Sequence, residues 1–174
     1  MNLEEAIKTA IDYETKVRDI YFEAESQTTS PKGKRVFNIL KTEEQKHLEY
    51  LEHCLKAWQS TGELTIKKLD TIIPSVEKIK VEISKLRTTL APGKIDKKYS
   101  DIELQMLKKA LEVEIETSEF YKKMVRELPK NDRRLFSRFI EIEEGHKTIV
   151  QAEIDSLTGL GYWFDMPEFN LAGQ

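Results

Sequence analysis

The chain has 174 residues, of which 39% are hydrophobic and 34% charged, with only 7 glycines and 5 prolines. This length suits one domain with a substantial core, and the composition is typical of a helix-rich protein rather than a disordered chain or a β-sandwich. A formal net charge of -3 gives no reason to expect nucleic acid as a partner, and no basic amphipathic or bilayer-length apolar stretch points to a membrane. The acidic amino terminus lacks the order of a secretory signal, so we expect a cytoplasmic protein.

Four stretches carry apolar residues at helical spacing, and they predict long helices at about 2–28, 31–60, 100–128 and 130–159. The first and second helices, and likewise the third and fourth, are joined by short connections that favour antiparallel hairpins. The crossover at 62–99 must carry the chain back along the bundle and is predicted to contain a helix of its own. We therefore expect an all-α fold, an antiparallel four-helix bundle over 1–160 followed by an aromatic tail at 161–174.

Helix-end signals support these boundaries. Asn2 and Glu5 have the spacing of a capping box at the start of the first helix. Ser30 precedes a proline suited to the first turn of the second helix, and Gly62 marks the end of that helix. Pro74 precedes the helix expected within the crossover.

The two predicted hairpins repeat one another. The first helix recurs in the third at an offset of 100 residues, and the second recurs in the fourth at an offset of 99. The repeat predicts a bundle with pseudo-twofold symmetry, because matching residues then lie on matching faces. The chemically informative pairs are Glu14 with Glu114, Tyr21 with Tyr121, Glu44 with Glu143, and His47 with His146.

A carboxylate interrupts the apolar seam of each long helix near its middle. The second and fourth helices each add a histidine three residues after that carboxylate, and residues three apart share one helix face. Two of the three histidines in the chain have this spacing, at matching repeat positions, which disfavours the alternative of ordinary buried polar contacts or exposed faces. The predicted metal ligands are Glu14, Glu44, His47, Glu114, Glu143 and His146.

Four ionised carboxylates in an apolar interior need compensation, because an isolated buried charge is costly or forces the group to keep a proton. Two divalent cations would balance the four carboxylates, and neutral imidazoles would complete the coordination. The single cysteine, Cys54, cannot build a site of several thiolates. Mixed carboxylate and imidazole ligands favour iron or manganese, with zinc as an alternative. We predict a site for two metal ions and prefer iron.

Tyr21 and Tyr121 each lie two turns beyond a predicted ligand on the same seam. Helical side chains lean toward the amino terminus, which brings both phenols toward the metal layer. We expect them to hydrogen-bond to ligand carboxylates and to support catalysis. The alternative interpretation is a pair of core tyrosines whose hydroxyls are satisfied elsewhere.

The order Glu, Glu-x-x-His, Glu, Glu-x-x-His resembles the ferritin-like di-iron carboxylate superfamily, and the aromatic tail around Tyr162 and Trp163 is similar to its rubrerythrin-like branch. The resemblance implies a ferritin-like bundle in which Glu14 and Glu114 are lone ligands and each Glu-x-x-His pair supplies two more. Two departures stand out. Typical rubrerythrins have a further carboxylate where this chain has Thr117, and they have a rubredoxin-like domain with Cys-x-x-Cys motifs that this sequence lacks.

The resemblance implies an oxidoreductase that reduces peroxide or O2 at a pair of iron ions and is re-reduced by a rubredoxin-like or ferredoxin-like carrier protein. Two alternatives stay open: an iron-binding, ferroxidase or iron-storage protein, and a structural module stapled by metal. The six-ligand set is similar to the ferroxidase centre of bacterioferritin, although no methionine at a matching position suggests haem. The tail aromatics are too many to leave in water, so we expect them to cap the bundle end, to be buried in a homodimer, or some of each.

Overall fold

The computed structural model describes residues 1–89 and 100–158. Over these residues the chain forms five helices and no strand, so the predicted all-α fold is confirmed. The crossover contains the helix expected after Pro74, whereas the turn at 91–93 and the tail at 161–174 lie outside the described residues. The helices are α1 Leu3–Gln27, α2 Pro31–Thr61, α3 Val76–Thr89, α4 Ser100–Glu127 and α5 Arg133–Leu157.

The predicted helix-end signals are used as expected. The Asn2 side chain accepts a hydrogen bond from the Glu5 backbone N–H at 2.9 Å, and the Glu5 carboxylate accepts one from the Asn2 backbone N–H at 3.0 Å. The Ser30 hydroxyl oxygen accepts from the Gly33 N–H at 3.1 Å. Gly62 ends α2 with φ of 70°, a left-handed conformation that glycine adopts without steric cost.

The long helices pack as two hairpins, α1 on α2 and α4 on α5, joined where α1 packs against α4; α3 packs on α5. The apolar core has two parts, which we name after the tyrosine in each. The Tyr21 cluster includes Val17, Tyr21, Phe37, Leu40, Leu107, Val113, Ile149 and Val150. The Tyr121 cluster includes Leu3, Ile7, Leu51, Cys54, Tyr121, Met124, Phe136 and Phe139.

The positions of these clusters along the chain fix the helix directions. Helices α1 and α5 enter the Tyr121 cluster first and the Tyr21 cluster second, while α2 and α4 run the opposite way. Neighbouring helices are therefore antiparallel. Between the two clusters each long helix has a short stretch of about two turns that contributes buried polar side chains, so a polar layer crosses the middle of the bundle.

The crossover passes this polar layer on its way back along the bundle. Leu69 is buried in the Tyr121 cluster, whereas Ile73 is buried in the Tyr21 cluster, so the chain crosses the polar layer between them. A Cβ at Gly145 of α5 would lie 3.1 Å from Ile73 Cγ2. The glycine therefore lets the crossover lie close against α5. In the described part of the chain, none of the helices is long and apolar enough to cross a membrane.

One buried carboxylate outside this layer lies where α4 meets the start of α2. Glu103 is 2% exposed, and its Oε1 would lie 1.7 Å from a Cβ at Gly33, so the glycine makes room for it. Burial raises the pKa of Glu103 to about 7, although a hydrogen bond with the Thr28 hydroxyl partly opposes the shift.

This burial makes stability depend on pH. The folded chain holds the Glu103 proton more tightly than the unfolded chain, whose carboxyl pKa is near 4.5. The stabilisation of the folded state by protonated Glu103 is therefore full below pH 4.5 and is lost as pH rises toward 7. Between pH 5 and pH 8, wild type should lose roughly 2–3 kcal/mol of unfolding free energy through this carboxyl group. Glu103→Gln should not show this loss. Urea unfolding of both chelator-treated proteins at the two pH values measures the difference. An identical pH dependence in both proteins would contradict the assignment.

Candidate metal centre

The structure brings the six predicted ligand residues together in the polar layer. Each is 0% exposed. Among the described residues, two groups of ligand-type atoms consist only of predicted ligands, and within each group all atoms lie within 4.8 Å of one another. One group contains Glu14, Glu44, His47 and Glu143, and the other contains Glu44, Glu114 and His146. Glu44 belongs to both groups. A carboxylate in this position could be shared between two cations.

The two histidines use the same ring nitrogen toward the carboxylates. His47 Nδ1 lies 2.9 Å from Glu44 Oε2 and 3.1 Å from Glu14 Oε2. His146 Nδ1 lies 2.7 Å from Glu44 Oε1 and 3.6 Å from Glu114 Oε1, without the angles of a hydrogen bond. The rings stack with centroids 5.4 Å apart and planes 10° apart. The Glu-x-x-His pairs on α2 and α5 thus bring two nearly parallel imidazoles together within the layer.

Several buried polar atoms in this layer have no hydrogen-bond partner. These include Glu44 Oε1, Glu114 Oε2, both carboxylate oxygens of Glu143 and both ring nitrogens of His146. A buried polar atom without a partner is costly, and such atoms in a native site call for an ion or water. Oxygen and imidazole nitrogen donors suit iron, manganese or zinc, so the residues present fit a pair of divalent cations.

Three carboxylates of the layer have different pKa values, because their electrostatic surroundings differ. Burial and the neighbouring Glu44 raise the pKa of Glu14 to about 8, and burial with the surrounding carboxylates raises the pKa of Glu143 well above its usual range. Burial opposes ionisation of Glu44, but the charges of His146 and His47 hold its pKa well below the ordinary value. Burial would lower both histidine pKa values, yet the carboxylates raise that of His47 to about 9 and that of His146 well above 6.5. Without metal, positive charge is held in this layer as protons.

The two tyrosines connect the hairpins across the layer. The Tyr21 hydroxyl donates to Glu114 Oε1, and the Tyr121 hydroxyl donates to Glu14 Oε1. Each phenol therefore serves the carboxylate of the other hairpin, from opposite sides of the layer. Burial, followed by the charge of the accepting carboxylate, raises the pKa of both phenols well above 10, so both remain protonated donors.

The sequence interpretation missed a fifth carboxylate beside the layer, Glu43, which is 0% exposed. A Glu43 oxygen and ring nitrogens of His47 and His146 all lie within 4.8 Å of one another. Thr117, at the place of the additional rubrerythrin carboxylate, is also buried, and its hydroxyl donates to the Val113 carbonyl at 2.8 Å. The seam pattern could not find Glu43, because Glu43 precedes a seam residue and is covered by the crossover.

Comparison with known proteins agrees with this arrangement. The family model described as Rubrerythrin matches residues 5–154, a range that includes every residue of the polar layer. The chain belongs to the rubrerythrin family. No curated protein and no solved structure matches it significantly. As a rubrerythrin-family member the chain has a ferritin-like helical bundle, and its buried Glu and His cluster is compatible with a di-iron site.

The tyrosine contacts should contribute to the stability of the metal-free protein. Tyr121→Phe removes the donor to Glu14 and leaves a buried oxygen without it, which should lower the free energy of unfolding by about 1–3 kcal/mol. Tyr50→Phe is a matched control, because the Tyr50 hydroxyl donates to the Lys67 carbonyl at an exposed site and should contribute less. Urea unfolding in the presence of a chelator measures both changes. An equal or larger loss in Tyr50→Phe would contradict this account of Tyr121.

Proposed function

We propose that this rubrerythrin-family chain is a di-iron oxidoreductase that reduces peroxide or O2. One observation carries the proposal: four carboxylates and two imidazoles, all fully buried, converge in two groups that share Glu44. A cluster of this charge is expensive to bury unless cations or protons compensate it. Two divalent cations would bring four positive charges to four carboxylates.

The residues divide naturally between two ions. Glu14 and His47 would hold the first, Glu114 and His146 the second, and Glu44 would bridge them, with Glu143 completing the set. A bound pair of iron ions would supply the two electrons that reduction of peroxide to water requires. Manganese or zinc in the same residues is an outcome that metal loading would reveal.

The surrounding residues orient the ligands and exclude water. The Tyr21 and Tyr121 hydroxyls hold one oxygen each of Glu114 and Glu14, which leaves the other oxygen directed elsewhere. Each phenol also keeps a proton at Oη beside the layer. The two apolar clusters pack on either side of the polar layer, so its carboxylates meet little bulk water.

Reduction of peroxide or O2 at the layer needs an electron donor. The single cysteine in this sequence is buried Cys54, which cannot form a rubredoxin-type centre. We therefore propose a separate rubredoxin-like or ferredoxin-like carrier as the donor. We further propose that the chain acts as a homodimer in the cytoplasm, with neither nucleic acid nor membrane as a partner.

A second candidate function is an iron-binding protein of the ferroxidase or storage type. Buried Thr117 favours it, because a hydroxyl that donates to a backbone carbonyl replaces the additional carboxylate of typical rubrerythrins. The remaining six-residue set is the one that resembles a ferroxidase centre. Size-exclusion chromatography after loading with excess Fe2+ and O2 separates the candidates, since storage requires a large shell and retained mineral.

Two neighbouring glutamates of α5 test the site assignment. Glu143→Ala removes a fully buried carboxylate of the layer and should reduce bound Zn2+ or Fe2+ from two ions per chain to one or none. Glu144→Ala is the matched control, because Glu144 is partly exposed and pairs with Lys147 at 2.7 Å and Lys122 at 3.2 Å. Elemental analysis after equilibrium dialysis counts the ions. Two ions retained by Glu143→Ala would refute the assignment.

Anaerobic loading with Fe2+ followed by separate mixing with peroxide and O2 tests the reaction. We expect two Fe2+ per chain, rapid oxidation seen as near-ultraviolet absorbance, and recovery of the reduced state on adding a reductant. The faster oxidant identifies the substrate. Tight binding of two ions without oxidation by either compound would contradict an oxidoreductase and would favour a structural metal site.

A further inference from the structure

Glu43 is the point where the crossover is attached to α2 beside the histidines. Its side chain is 0% exposed. Glu43 Oε2 accepts hydrogen bonds from the Thr71 hydroxyl and, at 3.2 Å, from the Ile72 backbone N–H. Glu43 Oε1 accepts from Lys46 Nζ at 2.8 Å. Three donors therefore fix the orientation of one buried carboxylate at the level of the polar layer.

In both histidines beside Glu43 the Nε2 atom has no hydrogen bond. Their Nδ1 atoms are directed at the carboxylates of the layer, whereas Nε2 of His47 and Nε2 of His146 are buried and have no partner. A Glu43 oxygen and a ring nitrogen from each histidine all lie within 4.8 Å of one another. One bridging water can span this distance, because two hydrogen bonds in series reach farther than 4.8 Å. A small rotation of the side chains would instead allow a direct hydrogen bond.

We propose that Glu43 is a positioning residue for both histidines. Its carboxylate accepts the Nε2–H of His47 and of His146, directly or through one water, and thereby keeps Nδ1 of each ring free to bind metal. The inference rests on the proposed metal site. It follows a general feature of metal sites, in which a ligating histidine donates its second N–H to a carboxylate, a carbonyl or water that fixes the ring and its tautomer.

The repeat explains why one carboxylate would serve two rings. At the offset of 99 residues, Glu43 corresponds to Ile142 of α5, which is buried and offers no acceptor. His47 and His146 are nevertheless stacked, and a ring nitrogen of each lies within 4.8 Å of a Glu43 oxygen. A carboxylate has several acceptor directions, so the donors already bound to Glu43 leave capacity for the rings. The competing interpretation is that Glu43 only attaches the crossover to α2.

Nuclear magnetic resonance of the Zn2+-loaded protein with 15N-labelled histidine distinguishes these interpretations, because Zn2+ is diamagnetic. We expect both rings of wild type to bind Zn2+ through Nδ1 and to show protected Nε2–H signals. Glu43→Gln, whose amide is a weaker acceptor than a carboxylate, should shift both signals upfield and expose both protons to faster exchange. Zn2+ bound through Nε2, or Nε2–H signals unchanged in Glu43→Gln, would overturn the inference.

Zn2+ affinity provides a second measurement that does not involve turnover. Loss of a carboxylate that orients a ligating histidine typically lowers metal affinity by about 10- to 100-fold, and we expect a decrease in that range for Glu43→Gln. Glu103→Gln is the matched control, since it neutralises another buried carboxylate eleven residues from Glu114 along α4, about 16 Å away. The control should bind Zn2+ like wild type. Wild-type affinity in Glu43→Gln would overturn the inference.

If Glu43→Gln does not fold, Thr71→Val replaces it as the test. This change keeps the carboxylate and removes one of its donors. Both Nε2–H signals of the folded, Zn2+-loaded Thr71→Val variant should therefore shift from their wild-type positions, by less than loss of the whole charge would cause. Unchanged signals would overturn the inference. Failure of wild type to bind two Zn2+ ions would remove the proposed function itself, whereas normal binding with Nε2–H signals insensitive to both changes removes only the role of Glu43.

Discussion

Each long helix of this bundle carries at least one fully buried carboxylate into the polar layer, and the energetic cost of burying those charges is imposed on the whole fold. The helices meet this constraint by placing the four predicted ligand carboxylates at one level, between the Tyr21 cluster and the Tyr121 cluster. Charges gathered in one layer can share two cations or a set of protons, whereas charges scattered through the core could not. The layer therefore determines the relative register of the four helices.

The phenols show how this layer is tied to the apolar clusters. Tyr21 and Tyr121 belong to opposite clusters, and each reaches across the layer to a carboxylate of the other hairpin. A shift of one hairpin along the other would break both hydrogen bonds at once, which leaves two buried oxygens without these donors. These contacts thus oppose sliding along the α1 and α4 interface, and they stabilise the arrangement whether protons or metal ions occupy the layer.

Sequence periodicity predicted this part of the structure because it is a property of single helices. A carboxylate on an apolar seam must be buried if the helix is packed, and the repeat between the hairpins shows which seams meet. The level of the layer and the approach of both tyrosines followed from these rules. The exchange of partners, Tyr21 with Glu114 and Tyr121 with Glu14, did not, since it depends on how the two hairpins cross.

The crossover accounts for the residues that periodicity could not find. A connection that returns the chain along a bundle can follow only one side, so it breaks the symmetry between the hairpins. On α2 it meets Glu43, and on α5 it meets Gly145, the position that corresponds to Lys46.

The same segment therefore needs a carboxylate on one helix and empty space on the other. Neither requirement is visible along a single helix: Glu43 reads as an exposed neighbour of a seam residue, and Gly145 reads as a weak point in α5. Their roles become apparent once a third segment is placed between those helices. Burial that arises from contacts distant in sequence is thus the part of this site that a helical pattern leaves undetermined.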